Sequence, residues 1–378
     1  MTLWGIDREI WNQPAEFSLM RWRVQGVLWS VLTATPHVAC AQDSYTEVND
    51  PAARSGFAVH VDNDLFSGGS RDQDYSWGLA ATFASPRVTR LFAPVDSLRE
   101  NLQSVFTFDS ARNIADHHTS LAAQVGMLAM TPDSLASTEP TPGDRPYASL
   151  LFVSTSETRV LDGGNAALFT SFTVGMLGLG LAEATQRTVH RVLDVNVPRG
   201  WKHQISHGGE PTLRYVQAKQ WLLGDIDRSI PASSEWKLTV SASGGYLTEG
   251  TVALAGRWGR LQSSWWSFAP ELGDYMAAPL TSTWNSGADD AMELFVFAGV
   301  RLKAHVYNAL LQGQFRHSEV RVNADDLARL RLEGWFGIAA AWSDLRVSYT
   351  IRCATPEITR EPGRRSLIWA GISVEKSF

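Results

Sequence analysis

Two groups of residues in this chain have the types and spacing that chemistry requires. The first is Asp62-Asn63-Asp64 with Asp72-Gln73-Asp74-Tyr75-Ser76, a short way further on. Carboxylates and an amide carbonyl are hard oxygen ligands, suited to Ca²⁺ rather than Zn²⁺. The plainer reading of an isolated Asp-x-Asp is a solvated acidic loop. The second group is Gln186 and His190, four apart, which stack on one face of a helix. A neutral imidazole near pH 7 can take a proton from water. Asp194 comes one turn later, where it can orient the ring or equally pair with an arginine. The plainer reading here is a helix that plugs a sheet, with His190 as a hydrogen-bonded structural residue.

Other polar clusters carry less. Pro142-Gly-Asp-Arg-Pro-Tyr-Ala148 reads as a rigid entry to a strand, with Asp144 and Arg145 bracing a rim or lining a lumen. His203 and His207 are four apart, but Gly208, Gly209 and Pro211 argue against a helix and so against a zinc site. There is no Gly-x-Ser-x-Gly elbow, Walker loop or Cys-x-x-Cys pair, so covalent Ser or Cys catalysis has no sign in the sequence.

These groups need elements to position them. Residues 183–201 are a helix-patterned island, closed by Pro198 and Gly200. At 100° per residue, Leu181, Ala182, Val189, Val192 and Leu193 gather on one side and Glu183, Arg187, Arg191 and Asp194 on the other. Gln186 and His190 fall at the seam, the edge of the expected buried surface. A second short amphipathic helix is expected within 91–105.

Elsewhere the pattern has period two. Candidate strands are 56–66, 75–84, 121–130, 147–160, 166–176, 212–222, 235–246, 251–258, 292–306, 314–322, 332–342, 345–352 and 367–378, with a long loop over 270–290. Single-chain bacterial barrels use even strand numbers, so one of these thirteen segments, a short one after Gln314, is surplus. A soluble sandwich would turn the apolar faces inward, and a transmembrane barrel turns them out to lipid. Strands of about 10 residues match a tilted crossing. The ending Ile372-Ser-Val-Glu-Lys-Ser-Phe378 looks like the insertion signal of outer-membrane barrels.

The 378 residues carry a formal net charge of -6 and no basic block, which argues against a nucleic-acid partner. The 15 Trp, 16 Phe and 8 Tyr fit membrane girdles and ordinary cores alike. An export signal is expected over residues 1–41, with Met20-Arg-Trp-Arg23 as its basic start and cutting after Ala41; Met20 then reads as the true start. Residues 42–378 form the barrel. Of the two cysteines, Cys40 falls in the signal and Cys353 remains, so no intrachain disulfide is available to the mature chain.

Taken together, the stretches Val61-Asp-Asn63-Asp64, Asp72-Gln-Asp-Tyr75-Ser76-Trp-Gly78, Gly143-Asp-Arg-Pro-Tyr-Ala148, Thr185-Gln186-x-x-x-His190, Gly200-Trp201-x-x-Gln204 and Asn308-Ala-Leu-Leu-Gln-Gly313 resemble the lipid A 3'-O-deacylase family of outer membranes. The resemblance implies an all-β, antiparallel transmembrane β-barrel of about 12 strands, with a short helix beside the active site. It implies Ca²⁺-dependent hydrolysis of the ester that holds the 3' acyloxyacyl chain of lipid A. By motif, His190 is the general base, Gln186 its helix partner, Asn63 and Asp64 the metal pair, and Ser76 stands where the family usually has Thr. The family's acidic residue after the His has Asp194 as its nearest counterpart, although the expected spacing reaches Asn196. The family's lumen-side Lys has no counterpart. Lipopolysaccharide is then the substrate, and the protein a monomer or homodimer. The rival reading is a passive pore or structural barrel whose polar clusters line the lumen.

Overall fold

The computed structural model describes residues 55–68, 74–85, 87–106, 118–161, 164–194, 197–223, 233–275 and 292–378. The expected signal at 1–41, with Asp72, Gln73, Asn196 and most of the expected loop over 270–290, lies outside them.

Among the described residues, twelve antiparallel strands form one closed barrel in chain order. They are β1 (Gly56–Asn63), β2 (Asp74–Ala84), β3 (His118–Thr131), β4 (Ala148–Val160), β5 (Ala166–Leu177), β6 (Glu210–Leu223), β7 (Ser233–Gly245), β8 (Leu247–Arg260), β9 (Glu293–Asn308), β10 (Leu330–Trp342), β11 (Leu345–Ala354) and β12 (Leu367–Ser377). Pairing of β1 with β12, from Gly56 against Ser377 to Asn63 against Ala370, closes the cylinder and leaves no sheet edge. Among the described residues, four α-helices interrupt the strand order: α1 (Val88–Leu91), α2 (Ala93–Phe106), α3 (Gly180–Leu193) and α4 (Ala309–Gln312).

The surplus segment among the thirteen expected is 314–322, which is a loop. Its backbone donors go to side chains and to α4 instead of to a ladder. Glu210 Oε1 accepts from the N–H of Phe315 at 2.8 Å and of Arg316 at 3.1 Å. The N–H of Val322 donates to Leu311 O at 2.8 Å. Short alternation in a sequence is satisfied equally well by a loop packed on one side, which is why the pattern misled.

Alternation along each strand sorts the two faces. Leu79, Val125, Leu213, Val252, Leu302, Ile338 and Ile368 are exposed on the outside, as a barrel in lipid requires. Trp236, Phe83 and Trp342 are also exposed, at the end where the chain termini lie, and Trp236 meets Trp258 edge-on at 5.0 Å. They form an aromatic girdle, while Trp201, Trp335 and Trp369 are buried. The aromatic enrichment thus serves both purposes.

The interior is packed with charged pairs and with the β8–β9 connection. Glu333 accepts from Arg301 and Lys303 at 2.9 Å and from Arg352 at 2.8 Å. Two one-turn 3₁₀ segments, Trp265–Ser267 and Pro270–Leu272, lie inside the cylinder. Arg346 donates to Ser267 O at 3.0 Å, Arg301 to Glu271 O at 2.8 Å and Arg352 to Pro270 O at 2.6 Å. Beyond them Tyr275 stacks on Tyr75 of β2 at 5.9 Å. The 265–275 segment is thus held to β9 and β11 and reaches β2 across the lumen.

Candidate functional site on the outer wall

The expected site residues sit on the outside of the barrel, at the end away from the termini. Cross-strand pairing places Asn63 against Trp77, Trp77 against Ala129, and Ala129 against Ser149. Paired residues point to the same face. Trp77 is two residues from the exposed Leu79, so this whole row faces outward.

The β1–β2 end gathers Asn63, Asp64 and Ser76. Asn63 closes β1 and caps the 3₁₀ turn Asp64–Ser67, accepting from the N–H of Leu65 at 2.8 Å. Its amide N–H donates to Ser76 O at 2.8 Å, which ties the two strands together. A bulge between Tyr75 and Trp77 makes room for Ser76, whose hydroxyl meets that of Thr131 at 2.6 Å. Bulges re-aim one side chain in this way. Asp64 is buried at the start of the turn.

The other acidic groups of this hairpin are engaged elsewhere. Asp62 faces the lumen, bonded to His60 Nε2 at 2.7 Å and accepting from the Tyr75 hydroxyl at 3.2 Å. Asp74 holds Arg145 at 3.3 Å and Arg365 at 2.9 Å. Asp144 holds Arg365 at 2.6 Å, and Arg145 also pairs with Glu357. The Asp144–Arg145 motif therefore braces the rim: both members pair with the β11–β12 connection, Asp144 through Arg365 and Arg145 through Glu357, and Arg145 also reaches Asp74 at the start of β2. Burial alone would raise the Glu357 carboxyl, but the Arg331 and Arg145 guanidiniums outweigh it and hold it far below the usual carboxylate range.

Helix α3 lies against this row. Ala182 packs with Ala129, Trp77, Tyr147 and Trp201 in one cluster. The buried line along the helix is Ala182, Gln186 and His190, the last 6% exposed, while Leu181, Val189 and Val192 are exposed. The helix is therefore rotated by about a quarter turn from the sequence expectation: Ala182 and the seam residues Gln186 and His190 meet the wall, while Leu181, Val189 and Val192, expected in the buried surface, are exposed. The reason is its place outside a membrane barrel: lipid is the better solvent for its apolar side, and the wall is the partner for its polar line. Glu183 and Arg187 pair at 2.9 Å on the flank.

Gln186 is fixed by Trp201, whose indole N–H donates to Oε1 at 3.0 Å. Trp201 is fully buried and tilted against Tyr147 at 4.8 Å, and Gly200 gives the room, since a Cβ there would come within 2.5 Å of the Tyr147 ring. Gln204 Oε1 accepts from the Ser149 hydroxyl at 3.0 Å. At the helix entry Gly178 adopts φ +71°, with Ser206 O only 2.1 Å from where a Cβ would stand. Only glycine lets the 178–209 connection close on itself here.

Asp194 is not drawn into the buried line. It is exposed, takes a left-handed conformation with φ 58°, and caps α3 by donating its backbone N–H to His190 O. His203 pairs with Glu319 and His207 lies 3.5 Å from Gln204, so both are loop braces. Trp201, Thr131 and Ser149 are the supports that sequence reasoning left without a role. Trp201 and Gln204 stood in a quoted motif; Thr131 and Ser149 had no local signal.

For a divalent cation, the donors at the β1–β2 end are the Asp64 carboxylate, the Asn63 amide oxygen and backbone carbonyls. All are oxygens, which fits Ca²⁺ in kind. Among the described residues no group of three or more His, Cys, Asp or Glu gathers for a metal. A cation here would draw its remaining ligands from backbone, water or substrate.

A family model described as "Outer membrane protein LpxR" matches residues 27–378. The solved structure of "LpxR from Salmonella typhimurium" superposes with a TM-score of 0.65 at 15% identity, covering 85% of this chain and 100% of that one. The "KdgM porin" gives a TM-score of 0.33 at 6% identity, covering 85% of this chain and 99% of that one. No curated protein matches.

Proposed function

The chain belongs to the LpxR family of bacterial outer-membrane proteins, and on that premise we propose that it removes the 3'-linked acyloxyacyl chain of lipid A. The observation that carries this reading is the buried polar line Gln186–His190 on a helix packed against the lipid-facing wall. A lipid substrate reaches such a site from the bilayer, acyl chains first. Against a passive pore, the 265–275 segment is bonded to β9 and β11 inside the cylinder and narrows the lumen.

In this mechanism His190, as the neutral imidazole, accepts a proton from the water that attacks the ester carbonyl carbon. Collapse of the tetrahedral intermediate breaks the bond to the sugar oxygen. The protonated imidazole returns its proton to that oxygen, leaving a free 3' hydroxyl and a carboxylic acid. Gln186, immobilised by Trp201, keeps α3 at a fixed rotation so that His190 faces the wall. Asn63 and Ser76 hold the β1–β2 end rigid through their mutual bond and the Thr131 hydroxyl. Ca²⁺, bound through Asp64 and Asn63, would supply Lewis-acid stabilisation of the developing oxyanion. The direct test is the lipid A mass spectrum of cells with and without the protein. The reading expects loss of the 3' acyloxyacyl mass in its presence, and identical spectra would refute it.

A further inference from the structure

Helix α2, in the β2–β3 connection, also lies outside the barrel. Val125, Val153 and Val174 form a cross-strand row, and Val125 is exposed outward. Glu157 is four residues along β4 from Val153, and Thr170 four along β5 from Val174, so both face outward too. Yet both are buried, because α2 covers them. Arg99, 1% exposed, is the bolt. Its guanidinium donates to Glu157 at 3.0 Å, to Thr170 at 3.1 Å, to Asp96 at 2.8 Å and to Gln103 at 2.7 Å. A charged residue on the lipid face of a barrel is costly; here it is sealed by a charge carried on the helix.

The rest of α2 divides into two exposed sides. Leu91, just before it, with Leu98 and Val105 recur every seven residues, and Phe106 lies beside them; all four are exposed, Leu91 at 80% and Val105 at 74%. Ser97, Glu100, Asn101 and Ser104 are exposed on the other side. The apolar stripe is continuous with the barrel's lipid band. Phe106 stacks at 5.9 Å on Tyr215, an outward residue of β6 two positions from the exposed Leu213.

The geometry points to α2 as a membrane-embedded arm: Arg99 bolts its polar line to the outer wall, and Leu91, Leu98, Val105 and Phe106 are covered by phospholipid acyl chains. The acyl chains that bathe Leu213 reach the stripe without a break, while the polar side turns to water and headgroups. This does not depend on the hydrolase reading.

The test uses the full chain refolded in phosphatidylethanolamine and phosphatidylglycerol vesicles, with Cys40 and Cys353 replaced by Ser. Leu98→Cys, Val105→Cys, Ser97→Cys and Ser104→Cys each carry a fluorophore, and a heat-shifted gel band verifies the folded barrel. Brominated acyl chains are expected to quench the labels at 98 and 105 several-fold more than those at 97 and 104, with aqueous iodide giving the reverse order. Iodide reaching all four labels equally would overturn the proposal. So would labels at 98 and 105 shielded from both quenchers and cross-linking between copies, since a second copy would then be the occupant.

Discussion

The indole N–H of Trp201 donates to Oε1 of Gln186 across 3.0 Å, joining the loop after α3 to the middle of the helix itself. Both groups are buried, so neither has water as a substitute. One turn along the same line stands His190. The bond therefore sets the rotation of the helix on the wall and, through it, the direction in which the imidazole faces.

Trp201→Phe tests that role. The Gln186 amide oxygen would lose its indole donor in a buried place, a loss of about 1–3 kcal/mol. The expected outcome is a barrel that still migrates as folded, melts lower and deacylates lipid A much more slowly. Unchanged melting and unchanged turnover would show that the bond positions nothing.

Asn63 has two separable duties, accepting from Leu65 N and donating to Ser76 O. Asn63→Asp keeps the acceptor and loses the donor, whereas Asn63→Ala loses both. Loss of such a cap costs about 1 kcal/mol. Urea unfolding is expected to rank wild type above Asn63→Asp and that above Asn63→Ala. An alanine variant as stable as wild type would contradict the assignment.

Chelation of Ca²⁺ is expected to abolish turnover, with Mg²⁺ restoring little, because Mg²⁺ demands tighter octahedral geometry and gives up water reluctantly. Full activity in excess chelator would remove the metal from the mechanism.

The rim network gives a pH prediction. The Glu357 carboxyl is held low by Arg331 and Arg145, against the opposing effect of burial. A depressed folded-state value contributes stability that is fully present above the unfolded value, about 4.3, and is lost as pH falls below it towards the folded value. Protease resistance of the connections at 132–147 and 355–366 should stay flat from neutral pH to about 5 and decline below about 4. Glu357→Gln should flatten that decline and weaken the rim at neutral pH by about 3–5 kcal/mol, since two buried guanidiniums lose their shared partner. Identical acid profiles for the two proteins would rule the network out.

Much of the fold was legible because lipid imposes strict alternation. Leu79, Val125 and Leu213 face out and Arg301, Glu333 and Arg352 face in, a period that needs no tertiary knowledge to read. The 314–322 segment misled because its order comes from Glu210, about a hundred residues away in sequence. Of the candidate site, the residue types at Asn63, Asp64, Ser76, Gln186 and His190 were visible, and the Asn63 amide does bond the Ser76 backbone carbonyl. The rotation of α3 was not. Its apolar stripe was assigned to a buried face by the logic of water-soluble proteins, and outside a barrel lipid can cover Leu181, Val189 and Val192 while the seam residues Gln186 and His190 turn to the wall. Asp194 was placed by spacing alone, and the left-handed end of the helix carries it into the open.

The central claim is that the imidazole of His190 is the base of an ester hydrolysis on the outer wall. Purified His190→Ala, verified as a folded barrel by its heat-shifted gel band, should be incubated with lipid A and Ca²⁺ and the product read by mass spectrometry. The expected spectrum retains the 3' acyloxyacyl group, while wild type removes it. Deacylation by His190→Ala at the wild-type rate would contradict the account.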